Sequence, residues 1–148
     1  IRPDVAILHV QRADSEGNAH LWGNLGVARE AAFAAKRVIL TCEELVDHGV
    51  ILSDPNRTLI PGFLVSYVVH APFGSHPSPT QGYARRDDEF YFDYHRRSRT
   101  WEGFQEWLEK WVFGVGGHED YLELLGKERM EKLRPGSDLF SPPVNFSI

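Results

Sequence analysis

One segment indicates the fold most clearly: Tyr67-Val68-Val69-His70-Ala71-Pro72-Phe73-Gly74-Ser75-His76-Pro77-Ser78-Pro79. An apolar run rich in β-branched residues stops abruptly in a stretch of Pro and Gly that carries two histidines and a serine. This pattern is typical of a buried strand that opens onto a loop of fixed shape. In open α/β sheets, ligands bind in the crevice beyond the carboxyl ends of the strands. The segment therefore predicts a candidate site in the loop that follows the strand.

Two earlier apolar runs predict further strands of the same sheet, at Asp4–Val10 and Val38–Thr41. Between them, Asn24 is a suitable N-cap for a helix that continues through Lys36. The residues expected on the inner face of this helix are Leu25, Ala28, Ala32 and Ala35. A strand, a helix and a second strand in this order predict two parallel strands joined by a right-handed crossover.

The remaining pattern predicts shorter elements and two more helices. Phe63–Val69 is expected to be the third confident strand, and residues 74–99 a long ordered surface loop. The other expectations are a polar turn at Asp14–Asn18, a helical turn at Glu43–Asp47, an extended Leu59–Ile60, helices from Thr100 to about Phe113 and from Glu119 to Leu133, and a surface tail over residues 137–148. We predict an α/β fold, with a mostly parallel open sheet and flanking helices, in a single domain over residues 1–148.

Composition narrows the classes of function. The net charge of −5 and the pI of about 5.8 argue against a nucleic-acid or anionic-membrane surface. No apolar run approaches the roughly 18 residues that span a bilayer. The basic cluster Arg96–Arg99 follows acidic residues, which favours a solvated loop face over a phosphate site. Cys42 is the only cysteine, so no disulfide framework is predicted and a cytoplasmic location is expected.

Polar residues cluster where the three predicted strands end. The candidates are Gln11, Arg12, Asp14, Glu16 and Asn18 after the first strand, Thr41, Cys42, Glu43 and Glu44 after the second, and His70, Ser75 and His76 after the third. Because parallel strands end at one edge of a sheet, we expect the three groups to converge. That convergence carries more weight than any single residue.

Each candidate also has a structural interpretation. Asp14 and Glu16 are more typical of a turn than of a catalytic pair, and Glu43 is as suited to ordering loop amides as to catalysis. Ser75 and His76 are adjacent, so their side chains point to opposite sides of an extended chain and do not form a nucleophile pair. His76 before a proline is better suited to fixing the loop than to acting as a base.

No metal or phosphate motif is present in the sequence. The seven histidines include no H-E-x-x-H motif, so we predict no metal site. The glycine-rich segment Gly114–Gly117 follows a helix instead of a strand, which favours a helix C-cap over a phosphate loop.

Three motifs taken together resemble the family I CoA-transferases, and most closely the alpha (A) subunit of the glutaconate CoA-transferase type. They are Asp4–Asp14 with Gly17-Asn18, then Ala35–Glu44, then Ile60–Gly62 continuing through Ala71–Pro77. The resemblance extends over about residues 3–110, and the order and spacing of the motifs make it specific.

The resemblance implies an α/β sheet with helices on both faces and a partner beta subunit, with the active site at their interface. Such enzymes move CoA between an acyl-CoA and a carboxylic acid through a glutamate of the beta subunit, which forms an anhydride and then a CoA thioester. No catalytic residue is therefore expected in this chain, and CoA is a substrate, with no further cofactor. The expected substrate-binding residues are Gln11, Asn18, Glu43, Gly74, Ser75 and His76.

The resemblance also bears on the completeness of the chain. Ile1 is not an initiating Met, and the glycine-rich early half of such alpha subunits has no counterpart here, so we expect the C-terminal part of a longer subunit. Ser75 replaces an alanine frequent in relatives.

Two other functions stay open on the same scaffold. One is an acyl-CoA hydrolase or ring-cleaving hydrolase subunit. The other is a sugar-phosphate-sensing regulator, which requires a DNA-binding segment that the sequence does not show. The fold by itself does not choose among these functions.

Overall fold

The computed structural model describes residues 1–136. This part of the chain contains a sheet of five strands and six α-helices. In chain order these are β1 (Val5–Ala13), β2 (Ala19–His20), α1 (Ala28–Ala34), β3 (Arg37–Leu45), α2 (His48–Leu52), β4 (Thr58–Ile60), β5 (Val65–His70), α3 (Asp88–Arg97), α4 (Trp101–Leu108), α5 (His118–Leu125) and α6 (Lys127–Leu133).

The sheet has the strand order β4-β2-β1-β3-β5. β1, β3 and β5 are parallel, and their register places His9 beside Thr41 and Cys42 beside His70. The short β2 pairs antiparallel with both β1 and β4. The predicted α/β fold, with an open sheet and flanking helices, is confirmed. The sheet is mixed, because the two short strands add antiparallel pairings to the parallel trio.

One face of the sheet forms the main core. Val10 of β1 and Leu40 and Cys42 of β3 are fully buried there against Ala32 of α1. α1 begins at Ala28, so the prediction that Asn24 caps it was wrong. Asn24 Oδ1 instead accepts a hydrogen bond from the Gly26 amide (3.3 Å), and the positive φ of Gly26 keeps this segment out of the helix. The predicted inner-face residue Leu25 is consequently exposed.

β1 and β3 extend further than predicted, so several candidate residues lie inside strands instead of after them. Gln11 and Arg12 belong to β1, and the stretch Thr41–Glu44 belongs to β3, which rules out the predicted helical turn at Glu43–Asp47. Cross-strand partners explain the polar residues within the strands. For example, the guanidinium of Arg12 in β1 donates to Glu44 Oε2 in β3 at 2.9 Å.

Residues 74–99 are not entirely loop, because α3 occupies Asp88–Arg97. Asp87 caps this helix by accepting a hydrogen bond from the Phe90 amide at 2.9 Å. The basic cluster Arg96–Arg99 was predicted to lie in a loop, but its first two residues belong to the last turn of this helix. There Arg96 and Arg97 form ion pairs with Asp93.

Helices α3 to α5 pack around a hydrophobic cluster of Phe90, Trp111 and Leu125. α4 begins at Trp101, one residue after the predicted start at Thr100, which is its N-cap, and the helix continues as a π-helical turn to Phe113. The predicted third helix is divided into α5 and α6 at Gly126, whose φ of 87° is accessible to glycine but incompatible with a continuous helix. The predicted tail at residues 137–148 lies outside the described residues. Among the helices of residues 1–136, none is long and apolar enough to cross a bilayer.

Candidate functional site

A cavity of about 310 Å³ lies between β1 and the loop that follows β5. Its walls come from three places: β1, the segment after β2, and the loop after β5. The lining residues are His9 and Gln11, then Leu21, Trp22 and Asn24, then Ser75, Pro79, Thr80 and Gln81. The predicted convergence of the first and third strand ends is confirmed by Gln11 and Ser75, which line the same space. The volume is at the lower end of the range for small-molecule sites.

Gln11 holds two backbone segments at the cavity. Its Nε2 donates to the Trp22 carbonyl at 2.9 Å and to the Gln81 carbonyl at 3.4 Å. Its Oε1 accepts from the Trp22 amide at 3.3 Å. Gln11 is 2% exposed, and both ends of its amide are used within the protein. Its main effect is therefore to place the indole of Trp22 and the chain at Gln81.

His9, which was not among the predicted candidates, lies beside Gln11 and is hydrogen-bonded to β3. Its Nε2 donates to Glu43 Oε1 at 3.0 Å, and its Nδ1 lies 2.9 Å from Thr41 Oγ1. A signal was available in the sequence. His9 and Gln11 are two residues apart, as are Thr41 and Glu43, so each pair shares one face of its strand.

Glu43 joins the sheet to the loop after β5. Its Oε2 accepts a hydrogen bond from the Phe73 amide at 2.9 Å, and its carbonyl accepts from His70 Nε2 at 3.1 Å. Phe73 has a φ of 60°, a conformation that costs a non-glycine residue about 1–2 kcal/mol. The hydrogen bond from Glu43 and the burial of the Phe73 ring hold this strained residue in place.

Gly74 and Ser75 shape the loop next to His9. A side chain at Gly74 would place its Cβ 2.7 Å from the Ala71 carbonyl oxygen and 3.0 Å from His9 Nδ1, so only glycine fits. Ser75 Oγ donates to the Ser78 carbonyl at 3.0 Å and lies 2.5 Å from Thr80 Oγ1. Both hydroxyl groups are engaged with each other, which leaves Ser75 without a base to activate it as a nucleophile.

The predicted residues His76 and Asn18 do not line the cavity. His76 faces the helices, with Nε2 donating to Asp87 Oδ2 (2.9 Å) and Nδ1 accepting from the Tyr121 hydroxyl (2.6 Å). Burial lowers its pKa, which keeps the ring neutral. Asn18 bridges Asp14 and the Gly62 amide. The cavity is therefore lined by Gln11 and Ser75 and backed by Glu43 and Gly74.

The other candidates have structural contacts. Asp14 is buried and accepts hydrogen bonds from the amides of Glu16 and Asn18, from the Asn18 side chain and from His48. Burial would raise the pKa of Asp14, but these hydrogen bonds, led by that of His48, lower it. Burial raises the pKa of the Cys42 thiol to about 11, so it is not a thiolate near neutral pH. Within residues 1–136, no group of His, Cys, Asp or Glu is arranged to hold a metal ion.

The fold and the cavity define an α/β protein with a small cavity beside three parallel strands. Residues 1–71, which include all five strands, match the coenzyme A transferase family. The chain is 44% identical over 128 residues to the alpha (A) subunit of 3-oxoadipate CoA-transferase from Pseudomonas knackmussii, covering 86% of this chain and 43% of that protein. It is 40% identical over 131 residues to the alpha (A) subunit of glutaconate CoA-transferase from Acidaminococcus fermentans, covering 88% of this chain and 41% of that protein.

The solved structure of glutaconate coenzyme A-transferase from Acidaminococcus fermentans superimposes with a TM-score of 0.87 at 38% identity, over 91% of this chain and 43% of that one. A more distant relative, the cholesterol ring-cleaving hydrolase IpdA subunit of Mycobacterium tuberculosis, is 28% identical over 122 residues, or 78% of this chain and 40% of that protein. The chain therefore belongs to the coenzyme A transferase family and resembles its alpha subunits, as the sequence motifs predicted. It spans less than half the length of these relatives.

Proposed function

We propose that this chain forms part of the alpha subunit of a CoA-transferase, which moves CoA between an acyl-CoA and a carboxylic acid. A partner beta subunit supplies the glutamate nucleophile. The observation that carries the proposal is the cavity, which lies next to the strands that match the family and is closed by the loop after β5. Its polar groups suit binding, and because Ser75 and His9 are hydrogen-bonded within the protein, neither is available for a covalent step.

The same proposal covers the substrates and the location. The apolar surfaces of Leu21, Trp22 and Pro79 suit the carbon chain of a small acyl group, while Ser75 and Thr80 provide polar contacts at one side. CoA enters as a substrate, and no other cofactor, nucleic acid or membrane takes part. A cytoplasmic location accords with the buried, unpaired thiol of Cys42. The single domain over residues 1–148 stays a prediction.

The test is to trap the covalent intermediate during turnover. The chain, assembled with its beta partner and any further alpha-subunit polypeptide, is incubated with an acyl-CoA and then treated with hydroxylamine or borohydride. We expect mass spectrometry to find a modified glutamate on the beta partner, together with transfer of CoA to an added carboxylic acid. A reaction without acyl-CoA is the control. Turnover with no glutamyl adduct contradicts the proposal.

A second candidate function is hydrolysis, which the similarity to the ring-cleaving hydrolase subunit favours. A hydrolase uses water in place of the acceptor acid. The same reaction run without an acceptor acid separates the two, because a transferase then stops after one equivalent of CoA is bound covalently, whereas a hydrolase continues to turn over.

A further inference from the structure

The loop that closes the cavity is held from behind by the last two helices. This wall loop, residues 71–87, supplies Ser75 and Thr80 to the cavity. On its other side, His118 Nε2 donates to the Pro72 carbonyl at 2.8 Å. The Arg85 amide donates to the carbonyl of Leu133 at 2.7 Å, and the Leu133 side chain packs on Phe73. None of these residues of α5 and α6 lines the cavity.

Asp87 is the centre of this attachment. Its carboxylate is 4% exposed and accepts two hydrogen bonds from Arg129, from Nε at 2.6 Å and from Nη2 at 2.8 Å. It also accepts from His76 Nε2 at 2.9 Å and from the Phe90 amide. A bidentate guanidinium contact sets both the distance and the orientation of a carboxylate. Arg129 of α6 is thereby connected through Asp87 to the ring of His76, the residue next to Ser75.

The charges of this cluster are balanced. Burial would raise the pKa of Asp87, but the hydrogen bonds of Arg129 and His76 hold it well below its usual range. Burial lowers the pKa of His76, the carboxylate of Asp87 opposes this, and the charge of Arg129 lowers the pKa further. Burial and the charge of Asp87 raise the pKa of Tyr121 to about 12, so its hydroxyl donates to His76. The exposed side chain of Glu89 places its Oε2 4.0 Å from Arg129 Nη2.

We propose that Arg129 is a positioning residue for the cavity: through Asp87 and His76 it fixes the wall loop and so sets the affinity for the ligand. The identity of that ligand as an acyl-CoA rests on the proposed function, but the placement of the loop does not. The guanidinium fork is the feature that matters, because a lysine at this position keeps the charge and loses the two-point contact.

The test compares Arg129→Lys and Arg129→Met with Lys132→Met in the assembled enzyme. Lys132 is on the same helix but makes only an exposed pair with Glu128, so it is a matched control. For both Arg129 variants we expect amide hydrogen exchange in residues 71–87 to accelerate roughly tenfold or more, with β1 and β3 unchanged. We expect the KM for acyl-CoA to rise roughly tenfold with a smaller change in kcat.

A spectroscopic readout separates positioning from simple destabilisation. In Arg129→Met the cation that opposes protonation of His76 is gone, so NMR of the imidazole should show its pKa raised, while Arg129→Lys should shift it less. Unchanged exchange and unchanged KM in both variants overturn the proposal, as does acceleration spread equally over β1 and β3. If the wild-type assembly transfers no CoA, the proposed function fails, and the exchange and imidazole measurements still decide the role of Arg129.

Discussion

Hydrogen bonds to β3 fix the orientation of the His9 ring at the cavity. The Glu43 carboxylate accepts from His9 Nε2 at 3.0 Å, and the Thr41 hydroxyl oxygen lies 2.9 Å from Nδ1. The same carboxylate accepts from the Phe73 amide with its second oxygen. One side chain therefore orients a cavity-lining ring and holds a strained loop residue. This arrangement supports the interpretation of Glu43 as an organiser of the loop.

We predict that Glu43→Gln leaves the fold intact and lowers activity only in part. The glutamine oxygen can still accept from Phe73, but its amide nitrogen is a donor and cannot accept the hydrogen bond from His9 Nε2. Loss of one charge-assisted hydrogen bond costs about 1.5–3 kcal/mol, or roughly ten- to hundredfold in rate if felt wholly in the transition state. Steady-state kinetics of the assembled enzyme measure this change.

Glu44→Gln is the matched control for this substitution, because Glu44 is the next residue of β3 and makes a half-exposed pair with Arg12. It should change activity little, since such pairs contribute about 0–1 kcal/mol. Complete loss of activity in Glu43→Gln, together with loss of the covalent CoA adduct, would make Glu43 the nucleophile.

At the scale of elements, α2 is attached to the turn after β1 by a single side chain. His48, the first residue of α2, donates from Nδ1 to Asp14 Oδ2 at 2.7 Å. The hydrogen bond to Asp14 raises the pKa of His48 above its ordinary value of 6.5, and the charge of Glu16 adds to the effect. Because the folded pKa is raised, this contact stabilises the protein below pH 6.5 and loses that contribution as the pH rises through the folded pKa.

We predict that His48→Gln destabilises the protein at low pH and less at high pH. The difference in urea midpoint between wild type and variant should be larger at about pH 5.5 than at about pH 8.5, since only the imidazolium carries the charge. His95→Gln is the control, because His95 is exposed at the end of α3. A midpoint difference that is equal at both pH values would contradict the charged contact.

Element type was predictable where the pattern was apolar and periodic. β1, β3, β5 and α4 follow from apolar runs or an apolar helix face, and each was found near its predicted place. α3 was missed because the predictions relied on apolar runs, although its Asp87 cap, acidic first turn and basic last turn are sequence signals of a helix. The ends of the strands were mispredicted for the same reason. Glu43 is polar yet lies buried within β3, because His9 and Phe73 donate hydrogen bonds to its carboxylate oxygens.

At the scale of the whole molecule, the two faces of the sheet differ. One face is covered by α1. The other face, which carries the cavity, exposes the apolar side chains of Val5, Ile7, Tyr67 and Val69. Parallel strands usually have both faces covered.

The sequence predicted that strand ends converge, because connectivity dictates it. It did not predict the cavity lining from Trp22 or Gln81, because their placement depends on the distant side chain of Gln11.

We predict that this chain alone transfers no CoA from an acyl-CoA to an acceptor acid. Ser75 and Thr80 bond each other, and both nitrogens of His9 are engaged, so the cavity offers no activated nucleophile among residues 1–136. Under the proposed function the attacking glutamate belongs to the beta subunit, whose addition, with any further alpha-subunit polypeptide, should produce transfer. A coupled assay of CoA transfer measures both states, with the isolated beta partner as control. Robust transfer by the isolated chain would place a nucleophile within it, and Glu43, a buried carboxylate directly behind the cavity, would be the first to test.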